Sequence, residues 1–131
     1  MIRLVIPWPP SANRYWRHPN SGPLAGRHLI SAEGRLYRQT VQAVVLEQLR
    51  CRPQLTCPVR VTFECAPPDR RTRDLSNLLK ATEDALTHAG VWLDDKQIDH
   101  EELIRRLPTP GGKLVVWIDA AEPLQLLQEA A

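Results

Sequence analysis

Two periods of apolar and polar positions alternate along this chain, and the switches between them mark out its elements. Ile2 to Ile6 is a short apolar run stopped by Pro7, Pro9 and Pro10, which predicts a strand that ends where backbone donors are lost. From Pro7 to His28 no period holds, and that segment carries five of the twelve prolines, so it reads as a long loop. Ser31 is placed to cap a helix running to about Arg50, with Leu36, Thr40, Ala43, Val44 and Leu49 on its apolar face and Pro53 just beyond it. Val59 to Cys65 alternates strictly. This predicts a strand with Val59, Val61, Phe63 and Cys65 inward and Arg60, Thr62 and Glu64 outward.

Pro67 and Pro68 stop that strand, and the basic loop Asp69 to Arg73 follows. Asp74 or Ser76 then caps a second helix, whose stripe is Leu75, Leu78, Leu79, Thr82, Ala85, Leu86 and Ala89, with Gly90 suited to the C′ position. Residues 97–107 and 113–119 predict two strands joined through Pro108 to Gly112 as a hairpin. Pro123 opens a predicted short terminal helix containing Leu124, Leu126 and Leu127. The order β-loop-α-β-α-β-β-α predicts an α/β (α+β) chain, one domain over residues 1–131 with a mixed sheet packed by two main helices.

Composition narrows the class. A chain of 131 residues and 14.9 kDa has the length of one domain, and 43% hydrophobic with 24% charged residues is ordinary globular usage. No apolar run reaches the roughly 18 residues of a membrane span, and the first ten residues hold too short an apolar stretch for a signal peptide, so the expected location is the cytoplasm. Cys51, Cys57 and Cys65 are odd in number and form no C-x-x-C, which fits reduced structural thiols.

Net charge is +2, but its distribution is uneven. Met1 to Arg38 holds six arginines against Glu33 alone, whereas Glu83 to Glu102 holds seven acids against Lys96 alone. Of 17 basic residues 14 are arginine, which suits bidentate phosphate contacts and is equally the mark of a GC-rich genome.

Three segments could carry chemistry. Asp74 follows Arg70, Arg71 and Arg73 at a helix start, where arginines, free N–H groups and the helix dipole favour an anion; Asn77 and Lys80 come on the next turns. The plainer role for Asp74 is that of an N-cap. Asp94-Asp95 offers hard oxygen ligands, and with Asp74 it could hold Mg²⁺, which takes only one or two protein carboxylates; an Asx turn is the alternative. The N-terminal loop interleaves Trp8, Tyr15 and Trp16 with Arg14, Arg17 and His18, rings that could stack on bases or anchor the loop to the core. No Walker loop, Gly-x-Gly-x-x-Gly or nucleophile elbow is present, so no nucleotide cofactor is expected.

Taken together, PWPPSANRYWRH, SAEGRLYR, PPDRRTRDLSNLLKATEDALTHAGVWLDD and PGGKLVVWI resemble the RusA family of Holliday junction resolvases, in the same order over nearly the whole chain. The resemblance implies a Mg²⁺-dependent homodimeric endodeoxyribonuclease, with Mn²⁺ a possible substitute, that binds four-way branched DNA and nicks two strands, encoded by a bacterium or its prophage. It assigns catalysis to Asp74, Asp95 and Lys80, the metal to Asp74, Asp95 and Asp94, and DNA binding to Arg14, Arg17, Arg70, Arg71, Arg73 and Lys80. One position departs from the pattern: Ser76 stands where the family's Asp-x-Asp-Asn motif has its second aspartate. Either Asp74 and Asp95 suffice, or Asp94, Asp99 or Glu101 fills in, or the protein binds branched DNA with weak or lost cleavage.

Overall fold

A computed structural model describes residues 1–129. Its main sheet has four strands, β1 (Ile2–Pro7), β4 (Val59–Ala66), β5 (Ile98–Arg105) and β6 (Lys113–Ala120), in the order β1-β6-β4-β5. The helices are the single turn α1 (Ala12–Tyr15), α2 (Ala32–Leu49) and α3 (Leu79–His88), and a two-residue ribbon pairs β2 (Trp16–Arg17) with β3 (Leu29–Ile30). The mixed α/β architecture is as expected. Its last two residues lie outside the described part of the chain.

Strand order is the first departure from expectation. β5 and β6 do not form a hairpin: β5 pairs parallel to β4, and β6 lies between β1 and β4, antiparallel to both. The reason is burial. β6 places Leu114, Val116 and Ile118 on the core side, each at most 1% exposed, and so takes a central position, whereas β5, with Asp99, His100, Glu101 and Glu102, is left at an edge. Its connection to β6 crosses the end of β4, where the Arg106 and Thr109 amides donate to the Cys65 and Pro67 carbonyls.

The second departure is the buried face of α2. Ser31 caps this helix as expected, its Oγ accepting from the Gly34 amide at 2.9 Å, but the buried positions are Gly34, Tyr37, Val41 and Val45. Leu36 is 63% exposed, Thr40 and Ala43 are exposed, and Val44 and Leu49 are half-buried. The N-terminal loop rotates the face: a Cβ at position 34 would lie 2.4 Å from the Tyr15 carbonyl and 2.7 Å from Ile30 Cγ1, so only glycine lets the loop lie against the helix there. Of the predicted stripe, Leu78, Thr82, Ala85, Leu86 and Ala89 are buried while Leu75 and Leu79 are half-buried, Ala81 joins the core, and Gly90 follows α3 at φ +79°.

Residues 121–129 form no terminal helix; Leu124, Leu126 and Leu127 are 81–93% exposed. So short a segment cannot offset the cost of helix nucleation without a surface to pack on. Within the segment Pro7 to His28, a partly ordered loop as expected, Tyr15 is fully buried and the chain forms α1 and β2. Trp92, 1% exposed, is among the largest fully buried side chains, with its indole N–H donating to Thr87 Oγ1 at 2.7 Å.

Trp92→Ala is therefore expected to cost about 3–5 kcal/mol, whereas Leu36→Ala should stay within about 0.5 kcal/mol. Urea unfolding of both variants checks the assignment of the core faces.

Candidate active site

The loops that bracket α3 place the predicted residues. Asp74 ends the basic loop and caps the 3₁₀ turn Leu75–Leu78, with its Oδ1 accepting from the Ser76 amide at 3.0 Å and the Ser76 hydroxyl at 2.8 Å. These bonds hold its carboxyl below the ordinary value, with a smaller contribution from the Arg105 charge. Ser76 is thus an exposed donor to Asp74. It offers no second carboxylate.

Asp94 and Asp95 play different parts. Asp94 caps the 3₁₀ turn Asp95–Gln97, accepting from the Lys96 amide at 2.8 Å in a capping box with Gln97. Gln97 clamps this turn from both ends of its amide: Oε1 accepts from the Leu93 and Asp94 amides, each at 2.9 Å, and Nε2 donates to the Leu55 and Cys57 carbonyls at 2.8 and 2.9 Å. Asp94 is thus committed to the turn, whereas Asp95 lies near Lys80, whose charge acts on it. Within the pair, bonding to the Lys96 amide lowers the Asp94 carboxyl, while partial burial and Asp94 raise that of Asp95.

Asp95 feels the charges of Asp94, Lys80 and Asp84, whereas Asp74 feels that of Arg105. Among the described residues, no group of three or more His, Cys, Asp or Glu is arranged to hold a metal.

What does gather at Lys80 is a pair of glutamates across the α3–β5 seam. Glu83 on α3 faces Glu101 on β5, with Asp95 and Lys80 close enough to act on it. Burial, then hydrogen bonding to Glu101, then the Glu101 and Asp95 charges push the Glu83 carboxyl up to about 8, opposed by Lys80. Glu101 Oε1 is buried facing this carboxyl, whose retained proton is the donor available to it. Glu101 lies on the core side of β5 because it pairs in register with the buried Val61. Residue spacing gave no sign of Glu83, since only the β4–β5 pairing brings it opposite Glu101.

The basic side of the site is a cleft of about 350 Å³ lined by Arg70, Arg71, Arg73, Arg105 and Arg106 together with Asp69. The arginines are not equivalent. Arg73 Nη1 donates to Asp69 Oδ1 at 2.6 Å, and this bond, with the Arg71 amide, pulls the Asp69 carboxyl down to about 2. The Arg73 guanidinium also lies 5.9 Å from the Trp8 ring. Arg105 Nη2 donates to the Arg73 carbonyl at 2.8 Å, and Arg106 pairs with Glu64 at 2.8 Å, while Arg70 has no ion-pair partner among the described residues. Arg105 and Arg106 escaped the sequence reading, although two adjacent arginines closing a strand were the visible sign. Arg14 pairs with Glu33 at 3.0 Å, and Arg17 is exposed on β2.

The aromatic residues of the N-terminal loop serve mainly as anchors. Tyr15 reaches Asp84 with its hydroxyl, and Arg38 Nε donates to both, at 2.7 Å to Asp84 Oδ2 and 3.2 Å to Tyr15. Trp16 packs on His28 at 4.4 Å between centroids.

This arrangement has counterparts among known proteins. The family model for Endodeoxyribonuclease RusA matches residues 7–118. The chain belongs to the RusA endodeoxyribonuclease family. It is 45% identical over 115 residues to the crossover junction endodeoxyribonuclease RusA of Escherichia coli (strain K12), covering 88% of this chain and 91% of that protein. The protein of the same name from Enterobacteria phage 82 matches at the same identity and coverage, and that of Escherichia coli O139:H28 at 44%. Membership of the RusA family makes the chain a nuclease, and no helix among the described residues is long and apolar enough to cross a membrane.

The Glu83 site has a pH consequence. Its folded-state value is raised above the ordinary 4.5, so its contribution to stability is complete below about pH 4.5 and is lost as pH rises through about 8. Glu83→Gln is expected to flatten the fall in urea midpoint across that window. An unchanged slope would place the proton elsewhere.

Proposed function

We propose that this chain resolves four-way DNA junctions by Mg²⁺-dependent paired nicking, acting as a homodimer. The observation that carries this reading is the meeting of Asp95 and Lys80 with buried carboxylate oxygen at one seam, in a RusA-family chain that also has an arginine-lined cleft beside Asp74. The donor set fits a hard cation. It is all oxygen, it includes the buried Glu101 Oε1, and Mg²⁺ needs only one or two carboxylates.

Asp95 would anchor the cation, with Asp74 the second acid of the site. When bound, Mg²⁺ supplies Lewis-acid polarisation of the scissile phosphate and an activated water, and Mn²⁺ can take its place. Lys80 puts a positive charge where negative charge builds on the phosphate. Arg70, Arg71, Arg73, Arg105 and Arg106 hold the backbone in the cleft, and Arg14 and Arg17 extend that surface along the N-terminal loop. One seam per chain cuts one strand, so paired nicks call for two chains about a two-fold axis. The alternative, a branched-DNA-binding protein with weak or lost cleavage, rests on Ser76 alone.

A synthetic four-way junction with Mg²⁺ tests this reading. The parent protein should nick it in pairs, and Asp95→Asn should bind it without cutting. A parent that shifts the junction but leaves it whole would favour the alternative. Arg70→Ala, which leaves every intramolecular ion pair in place, should weaken junction binding and lower the slope of log K against log salt by about 1. An unchanged slope would remove Arg70 from the DNA interface.

A further inference from the structure

The turn that carries Asp95 is exposed and only three residues long, yet one half-buried side chain fixes it to the core. Gln97 Oε1 accepts from the Leu93 and Asp94 amides, each at 2.9 Å, and Nε2 donates to the Leu55 carbonyl at 2.8 Å and the Cys57 carbonyl at 2.9 Å. Two backbone donors and two backbone acceptors are met at once. Only a side-chain amide can do this, since a carboxylate donates nothing and an ammonium accepts nothing.

The four partners come from two separate parts of the chain. Residues 54–57, on the way from α2 to β4, run beside the exit of α3: the Gln54 amide donates to the Gly90 carbonyl at 2.7 Å, the Leu55 amide to the Val91 carbonyl at 3.0 Å, and Leu55 bridges to Trp92. Trp92 is 1% exposed, so this strap stands on the core. Gln97 ties its far end to the turn. With Asp94 capping the turn and Gln97 closing it, Asp95 sits between two fixed residues.

We propose that Gln97 is a positioning residue for the nuclease reaction, holding the Asp95 carboxylate in place by clamping its turn to the strap 54–57. The proposal rests on the assignment of Asp95 above and adds what holds that residue. All four hydrogen-bonding positions of the Gln97 amide are taken by backbone, so Gln97 acts through the turn and not on the DNA. Placement matters because a shift of about 1 Å in a reacting group can cost on the order of a hundredfold in rate.

The test compares Gln97→Ala, Gln97→Glu and Asp95→Asn on a synthetic four-way junction in single turnover with Mg²⁺, with the junction Kd measured separately in EDTA. Gln97→Ala is expected to cut at least about tenfold more slowly with an unchanged Kd. Gln97→Glu, which keeps the shape and the acceptor but loses both donated bonds, should also cut slowly. In the metal-free protein, hydrogen exchange at the Leu93 and Asp94 amides should quicken in Gln97→Ala while β4 stays protected, which separates a released turn from an unfolded chain. Added to Asp95→Glu, whose carboxylate is already displaced, Gln97→Ala should slow cutting less than it does in the parent; equal factors in the two backgrounds mean independent action and overturn the proposal. Cutting at the parent rate by both Gln97 variants, or equal loss of cutting and binding, overturns it as well, and an inactive Asp95→Asn then leaves Asp95 assigned. Cutting at the parent rate by Asp95→Asn removes Asp95 from the reaction and the proposal with it.

Discussion

Parallel pairing of β4 with β5 is the constraint on which the rest of this structure depends. Two parallel neighbours cannot be joined by a tight turn, so the chain must leave one end of the sheet, cross a face and return. Here the crossover is α3. The loop that leads into it carries the arginines and Asp74, the turn that leads out of it carries Asp94 and Asp95, and the helix itself presents Lys80, Glu83 and Asp84. Asp84 receives Tyr15 and Arg38, so the N-terminal loop and α2 are both tied to the same helix.

Charge is segregated in space as it is along the chain, though by different residues than the sequence singles out. The basic cleft owes as much to Arg105 and Arg106 at the end of β5 as to the loop arginines, and Asp69 already engages Arg73 within it. The acidic side divides its carboxylates by task. Asp94 accepts a backbone amide and builds a turn, whereas Asp95 and Glu101 act through their charges on Glu83. Adjacent aspartates of the same type thus acquire different roles because a local hydrogen bond satisfies one of them.

Much of the secondary structure was legible because local rules govern it. The alternation in β4, the stripe of α3 with Gly90 behind it, and the Ser31 and Asp74 caps all follow from side-chain period or short-range hydrogen bonding. The misreadings are all tertiary in origin. A proline-glycine connection between two strands looks like a hairpin, yet it carried the chain past β4, since the more apolar β6 fits a central position and the acid-rich β5 does not. The face of α2 was misassigned because the N-terminal loop, anchored by Tyr15, covers Gly34 and turns the helix. The leucines at 124, 126 and 127 meet no surface and form no helix.

The sequence by itself determined the family, the α/β class, the main caps and the identity of the charged segments, because period, capping and motif spacing are properties of near neighbours in the chain. Only the tertiary structure decided which carboxylates meet. Glu83 and Glu101, eighteen residues apart in the chain, come opposite one another through strand register, which separation along the chain does not show. The strength of a charge interaction depends on distance and burial, and neither can be read from separation along the chain.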